Sequence, residues 1–480
     1  MNRNEIKVSC RDLNRYGQAV CVELAANDQP AENKSLIFAD GLLPGESGLV
    51  TVVDARKNYR VAMLSRRNDD SPDRVLPACP IAADCGGCQT QALSYPAGLR
   101  WKENSVRQAL SRIGALELAD KIRPIIGSEE PFAHYRNKMV YPVEVIEGKP
   151  VFGFYRARSH DLITTEECLI EPRAGCRLRA LLPDLIVRHG ISVYDEKTHT
   201  GDLRFVTLRT TPDSSLKDGQ AEQMVILTSR AEKDAYFALA GELLAEPGLV
   251  SVYLNIQSQR GNVILGDKFI LLAGKEKLAF DLDGSSFALS PGAFFQINYE
   301  QMIKLYRLLA ALIKDIHAAN KLTEIIDLYC GVGSIGLYVL KELRKDQAAP
   351  LPHLLGIEMA GQAIADAHEN ARLNAFDESA YDFVHAAAET SLNYIKEADS
   401  ARTLVIVDPP RKGLEPELLS MLVDHGPSHL LYVSCNPATL ARDLKELAGP
   451  YTVQMVQPVD MFPWTTHVEC VVLMSRVKGE

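Results

Sequence analysis

Hydrophobic and polar positions alternate with a period of two through the first part of the chain. The alternating runs are Glu5–Cys10, Ala19–Leu24, Ser47–Asp54 and Tyr59–Leu64, separated by Gly17, Asn27-Asp28 and Pro44-Gly45. Successive side chains of a strand point to opposite faces, so this pattern predicts half-buried strands. Short strands at even spacing with turn residues between them predict a small β-barrel over residues 1–67. A polar stretch from Arg67 to Asp73 follows it. The period then lengthens, and Leu99, Val106, Leu110 and Ile113 share one side of an amphipathic helix over 97–114. Residues 135–272 are mixed, with strand-like runs at Gln223–Thr228 and Ser251–Ile256. From about residue 322, the apolar runs Glu324–Leu328, Leu354–Glu358, Leu404–Val407 and Leu430–Ser434 alternate with helical stretches. That alternation implies βαβ units and a buried parallel sheet. Thr452–Pro458 and Val468–Met474 are expected to add antiparallel edge strands.

A chain of 480 residues is long enough for two to four domains. Its 46% hydrophobic and 24% charged residues are those of a soluble globular protein. The segment Met1–Val8 lacks a signal-peptide apolar core, and no run of about 18 apolar residues occurs. No membrane partner is expected, and a cytoplasmic location is the default. The net charge of -10 argues against a nucleic-acid partner, but the first 200 residues are nearly balanced, and local basic patches remain possible there. Ten cysteines are too few and too scattered for a disulfide scaffold. Clustered in a cytosolic protein, they point instead to metal binding or catalysis, as at Cys79, Cys85 and Cys88, and in the setting of Cys435.

After the run Glu324–Leu328 comes Tyr329-Cys330-Gly331-Val332-Gly333-Ser334-Ile335-Gly336, a G-x-G-x-x-G opening a helix. Glycines there allow a tight turn and close approach of the backbone to a ligand. Glu358 ends the next strand and is placed to accept hydrogen bonds from ribose hydroxyls. A dinucleotide fits this motif as well as S-adenosylmethionine does. Asp327 tips the balance, because a carboxylate suits a cationic ammonium and sulfonium and would repel phosphates.

Cys435 follows the strand Leu430–Val433 in the string Ser434-Cys-Asn-Pro-Ala-Thr-Leu-Ala-Arg-Asp443. It stands at the C-terminal end of a parallel strand, where open α/β sheets place their chemistry. A helix starting near Pro437 is expected to lower its thiol pKa. A free cysteine is equally at home as a small buried filler. Two further segments favour chemistry: Asp408-Pro-Pro-Arg-Lys-Gly413 at another strand end, and Phe462 to Cys470, where Glu469 enters an otherwise apolar run.

Together with Ser290-Pro-Gly-Ala-Phe-Phe-Gln296-Ile-Asn298, these strings resemble the RNA uracil-C5 methyltransferases, which make 5-methyluridine. The resemblance implies three parts: a barrel of the TRAM/OB type at 1–67, a central mixed α+β domain at 68–280, and an α/β Rossmann-like S-adenosylmethionine-dependent methyltransferase domain at 281–480, on which the helix near 97–114 packs. It implies Cys435 as nucleophile and Glu469 as general base. Gln296, Tyr329, Glu358 and Asp408 would contact cofactor or target base, beside Asp327, Gly331, Gly333 and Ser334 of the nucleotide loop. Ser334 stands where some members carry Asn. Uracil C5 is a weak nucleophile until a thiolate adds to C6, and a base must then remove the C5 proton. The target uridine must be flipped out or already unpaired.

The resemblance also implies RNA binding by the barrel, with Arg56, Lys57, Arg60, Arg66 and Arg67 supplying charge. Cys79-x5-Cys85-Gly-Gly-Cys88 needs a fourth ligand, and Cys168 is chosen over Cys176. Four thiolates suit zinc or iron–sulfur; members with this spacing hold a 4Fe-4S cluster, which is the expectation here. Such members favour large-subunit ribosomal RNA over transfer RNA. No obligate protein partner is implied. The rivals are a nicotinamide-dependent oxidoreductase, which leaves the Cys435 and Glu469 strings unexplained, and a non-catalytic RNA-binding protein on the same scaffold, which has no need of those two residues.

Overall fold

The computed structural model describes residues 5–31, 35–129, 134–212, 221–346 and 350–477. The chain divides into two compact units. One comprises Met1–Glu103, Tyr155–Ile163 and Phe462–His467; the other comprises Asn104–Phe154, Thr164–Met461 and Val468–Glu480. Two units thus stand where three parts are expected. The sheets nevertheless keep the expected order along the chain: barrel, mixed sheet, parallel sheet.

In the first unit β1 (Glu5–Leu13), β2 (Ala19–Glu23), β3 (Leu36–Ala39), β4 (Ser47–Ala55) and β5 (Tyr59–Arg67) form a closed barrel in the order β1-β2-β3-β5-β4. Alternate residues, among them Val8, Cys10, Ala19, Cys21, Ile37 and Ala39, fill its core. Four of these strands match the alternating runs. β3 has only four residues and pairs in parallel with β5, too short a run to show in the pattern. The expected basic surface is partly neutralised, since Arg56 pairs with Asp54, Arg60 with Glu23 and Arg67 with Asp70.

Helix α1 (Tyr95–Arg112) begins in the first unit and ends in the second. Within the second unit its Val106 and Leu110 join the apolar cluster of Ile326, Leu328, Val405 and Tyr432. There follow β6 (Lys138–Ile146), β7 (Lys149–Phe152), β8 (Phe154–Tyr155), β9 (Leu162–Ile163), α2 (Arg173–Arg188), β10 (Leu203–Thr210), β11 (Gln223–Ser229), α3 (Ala235–Leu243), β12 (Leu249–Ile256) and β13 (Lys268–Gly274). Six of the strands make a mixed sheet, β13-β12-β11-β10-β6-β7. Its core face carries Met139, Tyr141, Val206, Leu208, Val225 and Leu227, which cluster with Leu182 and Leu185 of α2 and Leu239 of α3.

The hairpin β14 (Leu278–Leu282) and β15 (Ser285–Leu289) leads into α4 (Tyr299–Asn320), whose N-cap Asn298 accepts from the Gln301 N–H. The remainder alternates: β16 (Glu324–Leu328), α5 (Ser334–Asp346), β17 (His353–Glu358), α6 (Gly361–Leu373), β18 (Tyr381–His385), α7 (Leu392–Glu397), β19 (Thr403–Val407), α8 (Pro416–His425), β20 (His429–Ser434), α9 (Pro437–Leu447), β21 (Tyr451–Val459) and β22 (Glu469–Arg476). The sheet order is β18-β17-β16-β19-β20-β22-β21, with β22 antiparallel to both its neighbours. Strand order reverses between β16 and β19, the switch point at which doubly wound sheets bind ligands beyond their carboxyl edge. Tyr329, Glu358, Asp408 and Cys435 all lie at that edge, and Glu469 joins them because β22 runs the other way. No helix among the described residues is long and apolar enough to cross a membrane.

Candidate active site

Ser434 of β20 pairs with Cys470 of β22, so one step further along the register Cys435 faces Glu469. Glu469 is 2% exposed and its Oε1 has no hydrogen-bond partner among the described residues. Burial pushes its carboxyl well above the usual range, and the Asp408 charge adds to this; Arg411 opposes both. Asp408 is itself raised to about 7 by burial. The expected lowering of the Cys435 thiol does not occur. Burial, then Glu469 and Asp408, raise it to about 11, with Arg411 again acting the other way. The physical reason is position: Asn436 is the N-cap of α9, which leaves Cys435 outside the first turn whose N–H groups would favour a thiolate. The surroundings of this pair therefore hold two acids, Asp408 and Glu469, and one cation, Arg411, a balance that suits a positively charged reactant.

The two segments that flank this pair are tied together. Asn436 caps α9 by accepting from the Ala438 N–H (3.1 Å), and its amide donates to the Arg411 carbonyl (3.0 Å). Buried Asp443 accepts from the Tyr432 hydroxyl (2.7 Å), the Leu414 N–H (2.9 Å) and the Arg442 guanidinium (2.7 Å). The Asp408–Leu414 turn is thus clamped onto the helix that follows Cys435. Gly413 has φ +81, and a Cβ there would come within 2.6 Å of Arg442 and of Asp443. This explains why the motif runs on through Thr439, Arg442 and Asp443 rather than stopping at the cysteine.

In the nucleotide loop Tyr329, Gly331 and Gly333 have φ of 65, 55 and 74. Asp327 accepts from the Gly336 N–H through Oδ2 (3.2 Å), whereas its buried Oδ1 has no partner among the described residues, nor does the Tyr329 hydroxyl. Burial, then Asp408, raise Asp327 to about 8. Orphaned polar atoms around a glycine loop mark a place where a polar ligand completes the hydrogen bonding. Glu358 already takes the N–H groups of Gly331 (3.3 Å) and Ala360 (2.8 Å). Ser334 is buried and shares a hydrogen bond with the Tyr306 hydroxyl (2.7 Å), which gives its side chain a partner inside the protein.

Gln296 is buried in the segment between β15 and α4, and its carbonyl accepts from the Asn137 amide (2.7 Å). Sequence reasoning missed what holds this segment. On α6 and its C-cap, Asp366, Asn370 and the capping Asn374 accept the N–H groups of Ser290, Ala288 and Ser286, at 3.0, 2.8 and 3.0 Å. A helix face thereby stands in for a neighbouring strand along the β15 edge. Asn370 also donates to the Val332 carbonyl of the nucleotide loop (3.0 Å). The spacing i, i+4, i+8 on one buried face was the available signal.

Cys79, Cys85 and Cys88 lie together in an irregular stretch of the first unit, and Cys168 belongs to the second. The Gly87 N–H donates to the Cys85 sulfur at 3.4 Å. Among the described residues no three Cys, His, Asp or Glu side chains form a ready metal centre. Cys176 is committed elsewhere, its thiol donating to buried Glu171 at 3.0 Å.

Comparison with known proteins is consistent with this geometry. The family described as tRNA (Uracil-5-)-methyltransferase matches residues 250–477. An uncharacterized RNA methyltransferase of Bacillus cereus is 39% identical over 92% of this chain and 92% of its own. One of Halalkalibacterium halodurans is 37% identical over 99% and 98%. Among solved structures, the Pyrococcus abyssi tRNA (uracil-54, C5)-methyltransferase in complex with S-adenosyl-L-homocysteine superposes with a TM-score of 0.72, at 26% identity, over 98% of this chain and 99% of that one.

Proposed function

The chain belongs to the RNA uracil-C5 methyltransferases, and on that premise we propose that it methylates C5 of a uridine through a transient bond between Cys435 and C6 of the base. The observation that carries this is the opposition of Cys435 and Glu469 at the carboxyl edge of the sheet, with Asp408 and Arg411 acting on both. Bound S-adenosylmethionine supplies the methyl group from a permanently cationic sulfonium. Its charge suits Asp327 and Asp408, and the S-adenosyl-L-homocysteine held by the Pyrococcus abyssi enzyme supports that choice of donor.

The Cys435 thiolate adds to C6, and the electron pair moves onto C5 and the adjoining carbonyl. C5 then takes the methyl group as the carbon–sulfur bond to the sulfonium breaks, the electron pair staying on sulfur as a neutral thioether. The Glu469 carboxylate removes the C5 proton, the C5–C6 double bond re-forms, and the thiolate leaves. Both groups act in their ionised forms. Arg411 is the protein cation that lowers both, and the cationic donor adds a second positive charge. Gln296 and Tyr329 face the donor or base, Gly331 and Gly333 let the loop close on the donor, and Glu358 holds that loop through its backbone.

The barrel is proposed to be of the TRAM type and to anchor RNA, with Lys57 and Arg66 as the cations of the expected set without a carboxylate partner among the described residues. Cys79, Cys85, Cys88 and Cys168 are proposed to hold a 4Fe-4S cluster. The donor chemistry fits, since three cysteines fall within ten sequence positions around Gly86-Gly87 and an N–H already points at one sulfur. Its contribution is structural, because the methyl transfer moves no single electrons. Anaerobically purified protein should then contain about four irons per chain, lost on Cys168→Ala and kept on Cys176→Ala; the opposite result assigns the fourth ligand to Cys176.

Large-subunit ribosomal RNA is the proposed substrate. Mapping 5-methyluridine in ribosomal and transfer RNA from cells with and without this protein tests it: a site lost from ribosomal RNA supports the proposal, and a site lost only from transfer RNA replaces it with the substrate type of the Pyrococcus abyssi enzyme.

A further inference from the structure

Arg209 of β10 and Lys138 of β6 are direct cross-strand partners, two cations facing each other. Arg209 is 4% exposed. Its guanidinium donates to the Ala293 carbonyl, and its buried Nε has no partner among the described residues. Lys138 is half-buried, with no hydrogen bond and no ion pair among the described residues. Arg136 lies two residues earlier, before the bend at Asn137, bridging to Asn298; its Nε is also buried without a partner and it has no ion pair among the described residues. Asp366, a carboxylate whose charge reaches Arg209, is already matched by Lys277 at 2.7 Å and held by Ser290. Burial and the neighbouring Arg209 charge push Lys138 down to about 8, and burial pushes Arg209 down to about 10.

Buried like charges without a counter-ion are unfavourable unless an anion completes them. Structural ion pairs are the usual reason to bury a cation, and these three have none among the described residues. Their location suggests what the anion is. Asn137, between Arg136 and Lys138, donates from its backbone to the Ile297 carbonyl (2.9 Å) and from its side chain to the Gln296 carbonyl. The cations therefore flank the segment assigned above to the target base or donor.

We propose that Lys138 and Arg136, backed by the buried charge of Arg209, form a seat for a backbone phosphate of the substrate RNA next to the target uridine. This rests on the RNA methyltransferase reading of the same site. Lys138 and Arg136 meet the phosphodiester oxygens. Arg209 fixes the Ala293 turn and contributes its charge from behind. A carboxylate, such as that of the methyl donor, has the same chemistry, and the test separates the two.

The test uses full-length protein, unmodified transcripts of large-subunit ribosomal RNA and of transfer RNA, and filter binding over a series of KCl concentrations. For the RNA that the wild type methylates, Lys138→Gln should weaken binding about threefold to tenfold and reduce the slope of log affinity against log salt by roughly 0.7, the loss of one phosphate contact. Lys138→Arg should restore both. Affinity for S-adenosylmethionine should not change, which also shows that the variant is folded. If Lys138→Gln fails to bind S-adenosylmethionine while its RNA affinity and salt slope stay at wild-type values, the seat belongs to the donor carboxylate and the proposal is overturned. Unchanged RNA affinity and slope with normal donor binding overturn it equally. Should Lys138→Gln not fold, Arg136→Gln decides by the same criteria. A wild-type protein that forms no 5-methyluridine in any RNA defeats the functional reading instead, and that outcome is read from the methylation assay rather than from the slopes.

Discussion

Cys435 and Glu469 face each other one step beyond the Ser434–Cys470 pair, on strands of opposite direction. A sheet of parallel strands alone brings strand C-termini to the reactive edge. The antiparallel β22 brings an N-terminus there, so a group that removes a proton is set against the group that adds to the base. Burial favours the neutral form of both groups, reinforced at Cys435 by the Glu469 charge and at Glu469 by the Asp408 charge.

The thiol should therefore alkylate slowly at neutral pH. With Cys435 raised to about 11, the rate of iodoacetamide modification of the Cys435 peptide, followed by mass spectrometry, should climb about tenfold per pH unit from pH 7 to 9.5. A rate that levels off below pH 8 would mean that the pocket ionises the cysteine unaided.

Donor binding should depend on pH in a defined direction. Asp327 and Asp408 are raised to about 8 and about 7, chiefly by burial, and a cationic donor favours their ionised forms. Below these values a proton must leave before the charge pair forms, so affinity is weak at low pH and rises until about pH 8. Calorimetry at pH 6 and 7.5 should show S-adenosylmethionine binding roughly threefold to thirtyfold tighter at the higher pH. A flat profile would remove these acids from donor recognition.

Asn370 spans the donor loop and the β15 edge, accepting from Ala288 and donating to Val332. Asn370→Ala leaves both backbone groups without partners, at about 1–2 kcal/mol in total. S-adenosylmethionine affinity should fall roughly threefold to thirtyfold, because the loop loses its tether. Unchanged affinity would limit the ladder to holding β15.

Asp443 meets three donors with one carboxylate. Asp443→Asn offers a single acceptor oxygen and no charge, so stability should drop by about 1–3 kcal/mol and Tm by roughly 2–12 °C. Methylation should slow in Asp443→Asn protein that is still folded, since the Asp408–Leu414 turn loosens. An unaltered Tm would show the clamp to be dispensable.

Much of this was legible in the residues, and the gaps have physical causes. The apolar runs of the parallel sheet and the alternating runs of the barrel announce themselves because burial imposes a period. Cys435, Glu469, Asp408 and Asp327 stood out as polar or reactive groups at the ends of such runs. β3 did not, because four residues carry no periodicity. The thiol pKa was misjudged: a sequence shows that a helix follows Cys435, but not that the thiol is buried or that Glu469 lies across from it. The α6 ladder was hidden because Asp366, Asn370 and Asn374 look like the polar face of a surface helix until the β15 edge covers them. The division into two units follows from contacts made by Tyr155–Ile163 and Phe462–His467, segments distant in sequence from the barrel they join.

The central claim is the division of labour between Cys435 and Glu469, and it is tested most directly by trapping. Enzyme, substrate RNA and S-adenosylmethionine carrying a radiolabelled methyl group are mixed and run on a denaturing gel. Glu469→Gln keeps the thiol and loses the base, so addition and methyl transfer proceed and elimination stops. Label should accumulate in a slow RNA–protein band. Cys435→Ala, alone or with Glu469→Gln, should give neither that band nor methylated RNA. Normal turnover by Cys435→Ala would contradict the account.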